Sequence, residues 1–215
     1  MPGSLRQIET WGGEPFLKME RMHNLIRQLC GYYFYFNSFY SSTNFSFPQW
    51  TDKVLDLLKV FGEFSPRRFT IYLQLSIDGP EYINDRNRGI GTTQKCLNNF
   101  NILVSRLPNE LPKNINLIIT TKGTLDNSSI MALDSKNKVI EYYQFIENNF
   151  IRKIDLLNLD NVKIEFCIPN TADPSPVTKE IGKHFANICK WCREIEQENE
   201  KYGYFRYYKS ITPFS

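Results

Sequence analysis

The sequence lacks the features that mark a membrane protein or a nucleic-acid-binding protein. No apolar run approaches the roughly 18 residues of a membrane span; the longest surrounds Tyr32–Phe36. The formal net charge of +3 is small and dispersed along 215 residues, which argues against nucleic acid as a partner. With 41% hydrophobic residues and no low-complexity segment, the chain can form one domain with a sizeable core.

Cysteine and histidine are scarce. The five cysteines are an odd number without a disulfide-framework pattern, which fits reduced surroundings, and no signal peptide is evident. We therefore expect a cytoplasmic protein. The one close pair, Cys189-Lys190-Trp191-Cys192, is assigned to helix packing because Cys192 lies on an apolar stripe. His184 is likewise assigned to packing, and His23 to a solvated position.

The stretch Phe69–Gly91 combines a predicted buried strand with a polar loop. Phe69–Ile77 is almost free of charge and rich in β-branched and aromatic residues, which is typical of a strand buried on both faces. Asp78-Gly79-Pro80 is a sequence typical of turns, and the polar loop after it carries Arg86 and Arg88. Loops at the carboxyl ends of buried strands hold the chemistry of α/β folds. An ordinary strand-to-helix loop is the alternative.

A second strand end, Ile8–Pro15, has unusual content. Gly12 and Gly13 would let a backbone come close to a ligand. Glu14 places a carboxylate beside them, and Pro15 suits the first turn of a helix. The segment is therefore a second candidate for ligand binding.

These segments resemble motifs of the radical S-adenosylmethionine (radical SAM) superfamily. Gly12-Gly13-Glu14-Pro15 is similar to the segment with which those enzymes hold the methionine amino group. Ser76-Ile77-Asp78-Gly79-Pro80, followed by Asn84-Asp85 and Arg88, is similar to the Ser-x-Asp-Gly-Pro and His-Asp-x-x-Arg segment of one branch. That branch modifies peptides and proteins and carries a C-terminal SPASM domain; it includes the anaerobic sulfatase-maturating enzymes. Asn84 stands where the family usually has histidine.

The resemblance implies a site for S-adenosyl-L-methionine. The matching residues are Gly12, Gly13, Glu14, Pro15, Asn44, Ser76, Arg88, Thr120 and Ile168. The first four would face the methionine amine, and Ser76 and Arg88 its carboxylate. Thr120 and Ile168 would contact the ribose and adenine. Asn44 belongs to a Thr-Asn pair that the family often has, usually with glycine next, where this chain has Phe45.

Two residues of the loop are given other roles. Asp78 is expected to fix the loop rather than to act as a base. Arg86 does not match the family's arginine position and is expected to point to solvent. The two therefore serve as references for the site residues around them.

The resemblance also implies an activity. In the family, an electron from a reduced [4Fe–4S] cluster cleaves the cofactor, and a 5′-deoxyadenosyl radical then takes a hydrogen atom from the substrate. We therefore expect a peptide or protein substrate and a low-potential electron donor such as a flavodoxin or ferredoxin. The cluster ligands, Cys-x-x-x-Cys-x-x-Cys, are absent from the sequence. We expect an interior fragment of a longer enzyme, or a gene product that has lost both ends, inactive alone. The alternative is a cluster-less, non-catalytic peptide-binding or scaffold domain derived from that fold.

Buried strands alternate with amphipathic helices, which predicts an α/β protein. The predicted strands are Gln7–Trp11, Tyr32–Ser41, Phe69–Ile77, Ile115–Thr121 and Val162–Pro169. The predicted helices are Phe16–Leu29, Trp50–Phe61, Thr93–Leu107, Ile130–Leu157 with a break at Ser135–Lys138, and a last one capped by Ser175. This pattern fits an open sheet or part of a barrel. The resemblance favours a partial (β/α) TIM-like barrel that comprises residues 1–203 and corresponds to strands two to six of a radical SAM (β/α)6 core. Residues 204–215 would start a C-terminal extension or linker.

Overall fold

The computed structural model describes residues 7–10, 13–32, 37–65, 67–166 and 178–202, with side chains for all of these except 29–32, 166 and 200–202. Five strands form one all-parallel sheet, and helices lie between them in sequence. The strands are β1 (Gln7–Thr10), β2 (Ser38–Thr43), β3 (Phe69–Ser76), β4 (Ile115–Lys122) and β5 (Val162–Phe166). The predicted α/β class is confirmed.

Eight α-helices are described, together with a 3-10 turn at Pro15–Lys18 and a π-helical segment at Glu147–Ile151. The α-helices are α1 (Met19–Tyr32), α2 (Trp50–Phe64), α3 (Glu81–Arg88), α4 (Thr92–Glu110), α5 (Asn127–Ala132), α6 (Lys136–Ile146), α7 (Arg152–Asp155) and α8 (Lys179–Tyr202). None of these helices is both long and apolar enough to cross a membrane.

The chain divides into two compact units. Unit 1 comprises Met1–Ser76, Gln94–Thr120 and Lys153–Glu165, and it contains most of the sheet with α1, α2 and most of α4. Unit 2 comprises Ile77–Thr93, Thr121–Arg152 and Phe166–Ser215, and it contains α3, α5, α6 and α8.

The order of the strands in the sheet follows the order of the chain, β1-β2-β3-β4-β5. In register, Ser38 of β2 lies opposite Gln7 on one side and Thr70 on the other. Parallel neighbours need a crossover between them, and helices supply it. Among the described strands none is inserted out of order, in contrast to doubly wound sheets, whose order reverses at a switch point.

One face of the sheet is apolar and the other is polar. In β3, Phe69, Ile71 and Leu73 are at most 2% exposed, whereas Thr70 and Tyr72 between them are only half-buried. Gln74, on the same face as Thr70 and Tyr72, is 9% exposed, so the prediction that this strand is buried on both faces holds for only part of the second face. Alternate side chains of a strand point to opposite faces, so β3 has one face of core residues and one of polar and tyrosine residues.

Helix α2 covers the apolar face of unit 1. The ring of Phe61 lies 5.0 Å from that of Phe39 in β2 and stacks at 4.6 Å on that of Phe69 in β3. All three side chains are at most 2% exposed. Full burial of such a side chain contributes about 1.5–3 kcal/mol, so this aromatic contact is a main support of the helix–sheet packing.

The boundary between α1 and β2 differs from the predicted one. The predicted strand Tyr32–Ser41 begins too early, because Tyr32 is still part of α1, and β2 is described from Ser38. Gly31 does not end the helix. Residues 33–36 of the predicted strand lie outside the described residues.

A short helix occupies part of the predicted polar loop. α3 spans Glu81–Arg88, and only Ile83 and Asn84 of its eight residues are buried. Its sequence has no apolar stripe from which a helix could be predicted. The break in the long helical region lies at residues 133–135, so it overlaps the predicted Ser135–Lys138 only at Ser135, whose side chain accepts from Lys138 N and caps α6.

Several predicted features lie outside the described residues. They are the strand ends at Trp11 and Pro169, the cap at Ser175, the site residues Gly12 and Ile168, and the segment 204–215.

Candidate functional site

In unit 1, Glu14 connects the segment after β1 to the end of β2. Its Oε1 accepts hydrogen bonds from Phe16 N at 3.3 Å and Thr43 Oγ1 at 2.8 Å. Its Oε2 accepts from Asn44 N at 2.7 Å. Pro15 occupies the first position of the 3-10 turn that Glu14 caps, as predicted. Glu14, Pro15 and Asn44 of the candidate residues are thus brought together.

The electrostatics of Glu14 are set by burial and by neutral donors. Burial raises the pKa of this carboxyl, and the hydrogen bonds from Asn44 and Thr43 only partly oppose that rise. None of the three donors carries a charge, and the positive charge of Lys53 also opposes the rise in pKa. A half-buried carboxylate of this kind attracts a cationic group.

Thr43 is the centre of this contact network, although the sequence pointed only to its neighbour Asn44. Besides donating to Glu14, its hydroxyl accepts from Trp50 Nε1 at 3.0 Å and from Phe45 N at 3.1 Å. Thr43 is 2% exposed and Trp50 is fully buried. One hydroxyl therefore satisfies three groups that would be costly to bury unpaired.

The loop after β2 has a constrained backbone. Phe45 has a φ of 39°, in the left-handed region that favours glycine. Asn99 of α4 holds the loop by donating from Nδ2 to Phe45 O at 2.9 Å and Phe47 O at 3.0 Å. Cys96 adds a contact from Sγ to Asn44 O at 3.4 Å. The unfavourable conformation is held by side chains of a neighbouring helix.

Two further candidates lie on the polar face of the sheet: Ser76 ends β3, and Thr120 lies two residues before the end of β4. Ser76 is half-buried. Thr120 is 7% exposed, and its hydroxyl has no partner in the described part of the chain. On the same face, the hydroxyl of Tyr40 donates to Gln74 Oε1. A buried hydroxyl without a partner is uncommon in a folded protein.

Unit 2 contains a second network, centred on Asp78. Arg88 donates to its carboxylate from Nε at 2.8 Å and Nη2 at 2.7 Å, and Thr124 N donates at 2.8 Å. The Asp78 side chain is 3% exposed. Asp78 therefore fixes the loop, as expected. Two of the N–H groups of Arg88 are engaged within the protein, and its contact with a cofactor carboxylate stays a prediction.

Asn84, which stands where the resembling family has histidine, joins two segments of unit 2. It is fully buried; its Oδ1 accepts from Asp78 N at 3.0 Å, and its Nδ2 donates to Thr93 Oγ1 at 2.9 Å. Asp85 accepts from Thr93 N at 2.7 Å, at the start of α4. Asn84 and Asp85 are structural links that the sequence did not reveal.

Arg86 is exposed, as expected, but its guanidinium group is also bonded within the protein. Its Nη2 donates to Ser129 Oγ at 3.0 Å and lies 3.7 Å from Asp126 Oδ1. Ser129 is fully buried and also accepts from Asn87 Nδ2 at 3.0 Å. The arginine links α3 to α5, a contact that depends on the unpredicted helix.

Two glycines allow close approach of segments in unit 2. A Cβ at Gly123 would lie 2.6 Å from the carbonyl oxygen of Ile77, which is backbone. Gly79 has a φ of 136°, and a Cβ there would collide with the ring of Tyr142. The ends of β3 and β4 can come together at Gly123 only without a side chain.

The remaining titratable candidates are packed. Cys192 is 5% exposed and contacts the Tyr143 hydroxyl at 3.1 Å, and burial raises its pKa to about 11. Its predicted packing role is confirmed. His23 is half-buried, its Nε2 has no partner among the described residues, and burial lowers its pKa, so the expected solvated position is wrong. Among the described residues, no group of three His, Cys, Asp or Glu side chains is arranged to hold a metal ion.

The geometry thus defines a parallel α/β protein with a candidate carboxylate in each unit, Glu14 in unit 1 and Asp78 in unit 2. Comparisons of the chain with models of known protein families, with curated proteins and with solved structures give no match.

Proposed function

We propose that this chain is the S-adenosylmethionine-binding core of a radical SAM enzyme that modifies a peptide or protein side chain. The contact between Glu14 and Asn44 carries the proposal. These residues belong to motif segments 30 positions apart in sequence, and they meet at the carboxyl ends of neighbouring parallel strands, where α/β proteins bind ligands.

The conformation of Phe45 gives independent support. The resembling family usually has glycine at this position, and here the backbone adopts the left-handed conformation that glycine favours. The backbone conformation agrees with that motif even though the residue does not.

The strand order supports the partial-barrel part of the proposal. Sequential parallel strands joined by helices are the arrangement of a singly wound barrel, in which the face away from the helices becomes the interior. The polar face, with Tyr40, Gln74 and the unpartnered hydroxyl of Thr120, is suited to contact the sugar and base of a nucleoside.

The residues of unit 1 fit the amino group of S-adenosylmethionine. Glu14 would hold it, because Oε2 accepts only one hydrogen bond in the described residues and a carboxylate oxygen can take two. When bound, the cofactor would supply radical chemistry. The chain has no Cys-x-x-x-Cys-x-x-Cys, so we assign none of its residues to an iron–sulfur cluster and derive no step through one.

Calorimetric titration of the chain with two ligands tests the proposal. S-adenosylmethionine should bind more tightly than 5′-methylthioadenosine, which lacks the amino-acid portion. Glu14→Gln should abolish that difference, with a loss of about 10-fold or more in affinity for S-adenosylmethionine, because a buried charge pair is removed.

Glu20→Gln is the matched control, since Glu20 is exposed on α1 and should leave both affinities unchanged. Equal binding of the two ligands by the wild-type chain, or an undiminished difference in Glu14→Gln, would contradict the assignment of Glu14.

A non-catalytic peptide-binding or scaffold domain is the second candidate. It is favoured by the pairing of Arg88 with Asp78, since this arginine has a structural role without any ligand. A folded chain that binds neither nucleoside would support this candidate.

A further inference from the structure

Unit 2 contains a cleft of about 390 Å³ that none of the motifs described above includes. It lies between α6 with the π-helical segment after it and α8. Its lining residues are Ile140, Gln144, Glu147, Asn148, Arg152, Ile195 and Glu198. Small-molecule sites in proteins have volumes of about 300–1,000 Å³, so the cleft is large enough for a small ligand.

Direct contacts hold the two helices that form the cleft together. Lys136 at the start of α6 lies 2.7 Å from Glu198 Oε1 and 3.4 Å from Glu194 Oε2 of α8. Further along α6, the Tyr143 hydroxyl contacts Cys192 Sγ at 3.1 Å. The cleft therefore belongs to a fixed helix pair.

Glu147 is the unusual member of the lining. It is 4% exposed, although carboxylates are rarely buried unless they are paired. Its single hydrogen-bond partner in the described residues is Arg152, whose Nε lies 3.3 Å from Oε1. Oε2 has no described partner. The cleft thus contains an almost fully buried carboxylate with an unused oxygen.

The π-helical segment Glu147–Ile151 produces the pairing with Arg152. In an α-helix, residues i and i+5 lie about 140° apart around the axis and do not meet. Here Arg152 N bonds to Glu147 O, which is the wider turn of a π-helix, and the two side chains come onto one side. Single π-helical turns occur frequently at functional sites.

Arg152 leaves part of its guanidinium group available. Its side chain is 57% exposed, and within the described chain only Nε is bonded to a carboxylate. A purely cationic ligand would be attracted by Glu147 and repelled by Arg152. A purely anionic ligand would be attracted by Arg152 and repelled by Glu147. A ligand with an ammonium and a carboxylate close together satisfies both.

We infer that this cleft binds a free α-amino acid with an aliphatic side chain. The ammonium group contacts Glu147 Oε2, the carboxylate contacts the free N–H groups of Arg152, and the side chain lies against Ile140 and Ile195. Ile195 is 3% exposed and supplies an apolar wall. The inference does not depend on the proposed function, and its test uses no S-adenosylmethionine.

The test is calorimetric titration of the whole chain with three matched probes: L-leucine, 3-methylbutylamine and 4-methylpentanoate. The second lacks the carboxylate of leucine and the third lacks its ammonium group. Leucine should bind about 10-fold or more tightly than either analogue, because each analogue lacks one of the two charged groups that contact Glu147 and Arg152.

Two variants test which charged group of the cleft contacts which charged group of leucine. Glu147→Gln should remove the advantage of leucine over 4-methylpentanoate, and Arg152→Gln its advantage over 3-methylbutylamine. Glu141→Gln is the matched control, since Glu141 is exposed on the same helix and pairs with Lys138 at 2.8 Å. Gln144→Trp, at an exposed lining position, should block binding without changing a charge of the cleft.

Circular dichroism and the melting temperature confirm that each variant is folded. Absence of leucine binding to the folded wild-type chain would overturn the inference. So would equal affinities for leucine and the amine, which would indicate a site for a cation alone, or an equal loss from Glu141→Gln.

Discussion

Two carboxylates, one in each unit, are held in opposite ways. Glu14 accepts three hydrogen bonds from neutral donors. Asp78 accepts a two-point contact from a guanidinium group together with a backbone N–H. The arginine compensates the charge of Asp78, whereas the donors around Glu14 orient its carboxylate without cancelling its charge.

This difference separates a structural carboxylate from one that can still take a cationic ligand. Removing one member of a buried ion pair leaves an uncompensated charge, which is strongly unfavourable. Removing a neutral donor leaves an unpaired polar group, which costs less. The two networks should therefore respond to mutation with different magnitudes and different pH dependence.

The largest effect is expected from Asp78→Ala. It leaves Arg88 without its carboxylate and Thr124 N without its acceptor, and should lower the free energy of unfolding by about 3–5 kcal/mol. Asp52→Ala is the control, since Asp52 pairs with Arg106 at 2.5 Å at the surface and should cost at most about 1 kcal/mol. Urea unfolding measures both. Equal losses would mean that the Asp78–Arg88 pair acts as a surface pair.

An intermediate effect is expected from Thr43→Val. The substitution keeps the shape and removes the hydroxyl that binds Glu14, Trp50 and Phe45, leaving the indole N–H buried and unpaired. We expect a loss of about 2–3 kcal/mol. Thr70→Val, on the polar face of the sheet, should change stability by less than about 0.5 kcal/mol. A similar loss at both positions in urea unfolding would show that the Thr43 network adds nothing specific.

The pH dependence of the unfolding free energy, measured for wild type and for Glu14→Gln, is a further test of the comparison. Because the pKa of Glu14 is raised above its ordinary value of 4.5, the native state holds its proton more tightly than the unfolded state does. The resulting stabilisation is fully present below pH 4.5 and is lost as the pH rises through the folded-state pKa. The unfolding free energy of wild type minus that of Glu14→Gln should therefore decrease as the pH rises from 4.5 through the folded-state pKa of Glu14.

The contribution of Glu110 to stability should have the opposite pH dependence. Its pKa is lowered to about 2, chiefly by the hydrogen bond from Arg106 and then by that from Lys59, so its contribution is present above pH 4.5 and declines at lower pH. Parallel pH profiles for Glu14→Gln and Glu110→Gln would be inconsistent with a pKa of Glu14 that burial raises.

The smallest effect is expected for the reactivity of Cys192, a thiol that is buried without a charged partner. Burial raises the pKa of the Cys192 thiol to about 11, and its partner is the neutral Tyr143 hydroxyl. Iodoacetamide at pH 8 should alkylate the half-buried Cys189 about 10-fold or more faster than Cys192, because the thiolate is the reactive form. Peptide mass mapping follows both sites, and in denaturant their rates should converge. Equal rates in the native protein would place Cys192 at the surface.

The strands of the core were predictable because aliphatic residues recur along stretches with almost no charge. β3 and β4 each end within one residue of the predicted position. Their alternation was also present, in Thr70 and Tyr72 between the aliphatic positions, yet low charge was taken as evidence for burial of both faces. Polar but uncharged residues do not distinguish an interior face from an open one.

The site contacts were predictable only in part. Glu14 and Asn44 were both chosen from motifs, whereas the role of Thr43 depends on the indole of Trp50, which the sequence assigned only to a helix. The pairing of Asp78 with Arg88 spans ten positions and requires α3, a helix without an apolar stripe. Tertiary contacts decided these cases, and no local pattern encodes them.

The sequential strand order affects how the chain folds during synthesis. Each strand from β2 onward pairs with the strand made just before it, so its partner has already left the ribosome when it emerges. At about 5–20 residues per second, successive strands appear within seconds of one another. The sheet can therefore grow from the amino terminus one strand at a time, and no strand has to wait for a later one. The exposed edge moves along the chain with translation, and on the growing side only the newest strand is open to pairing with another molecule.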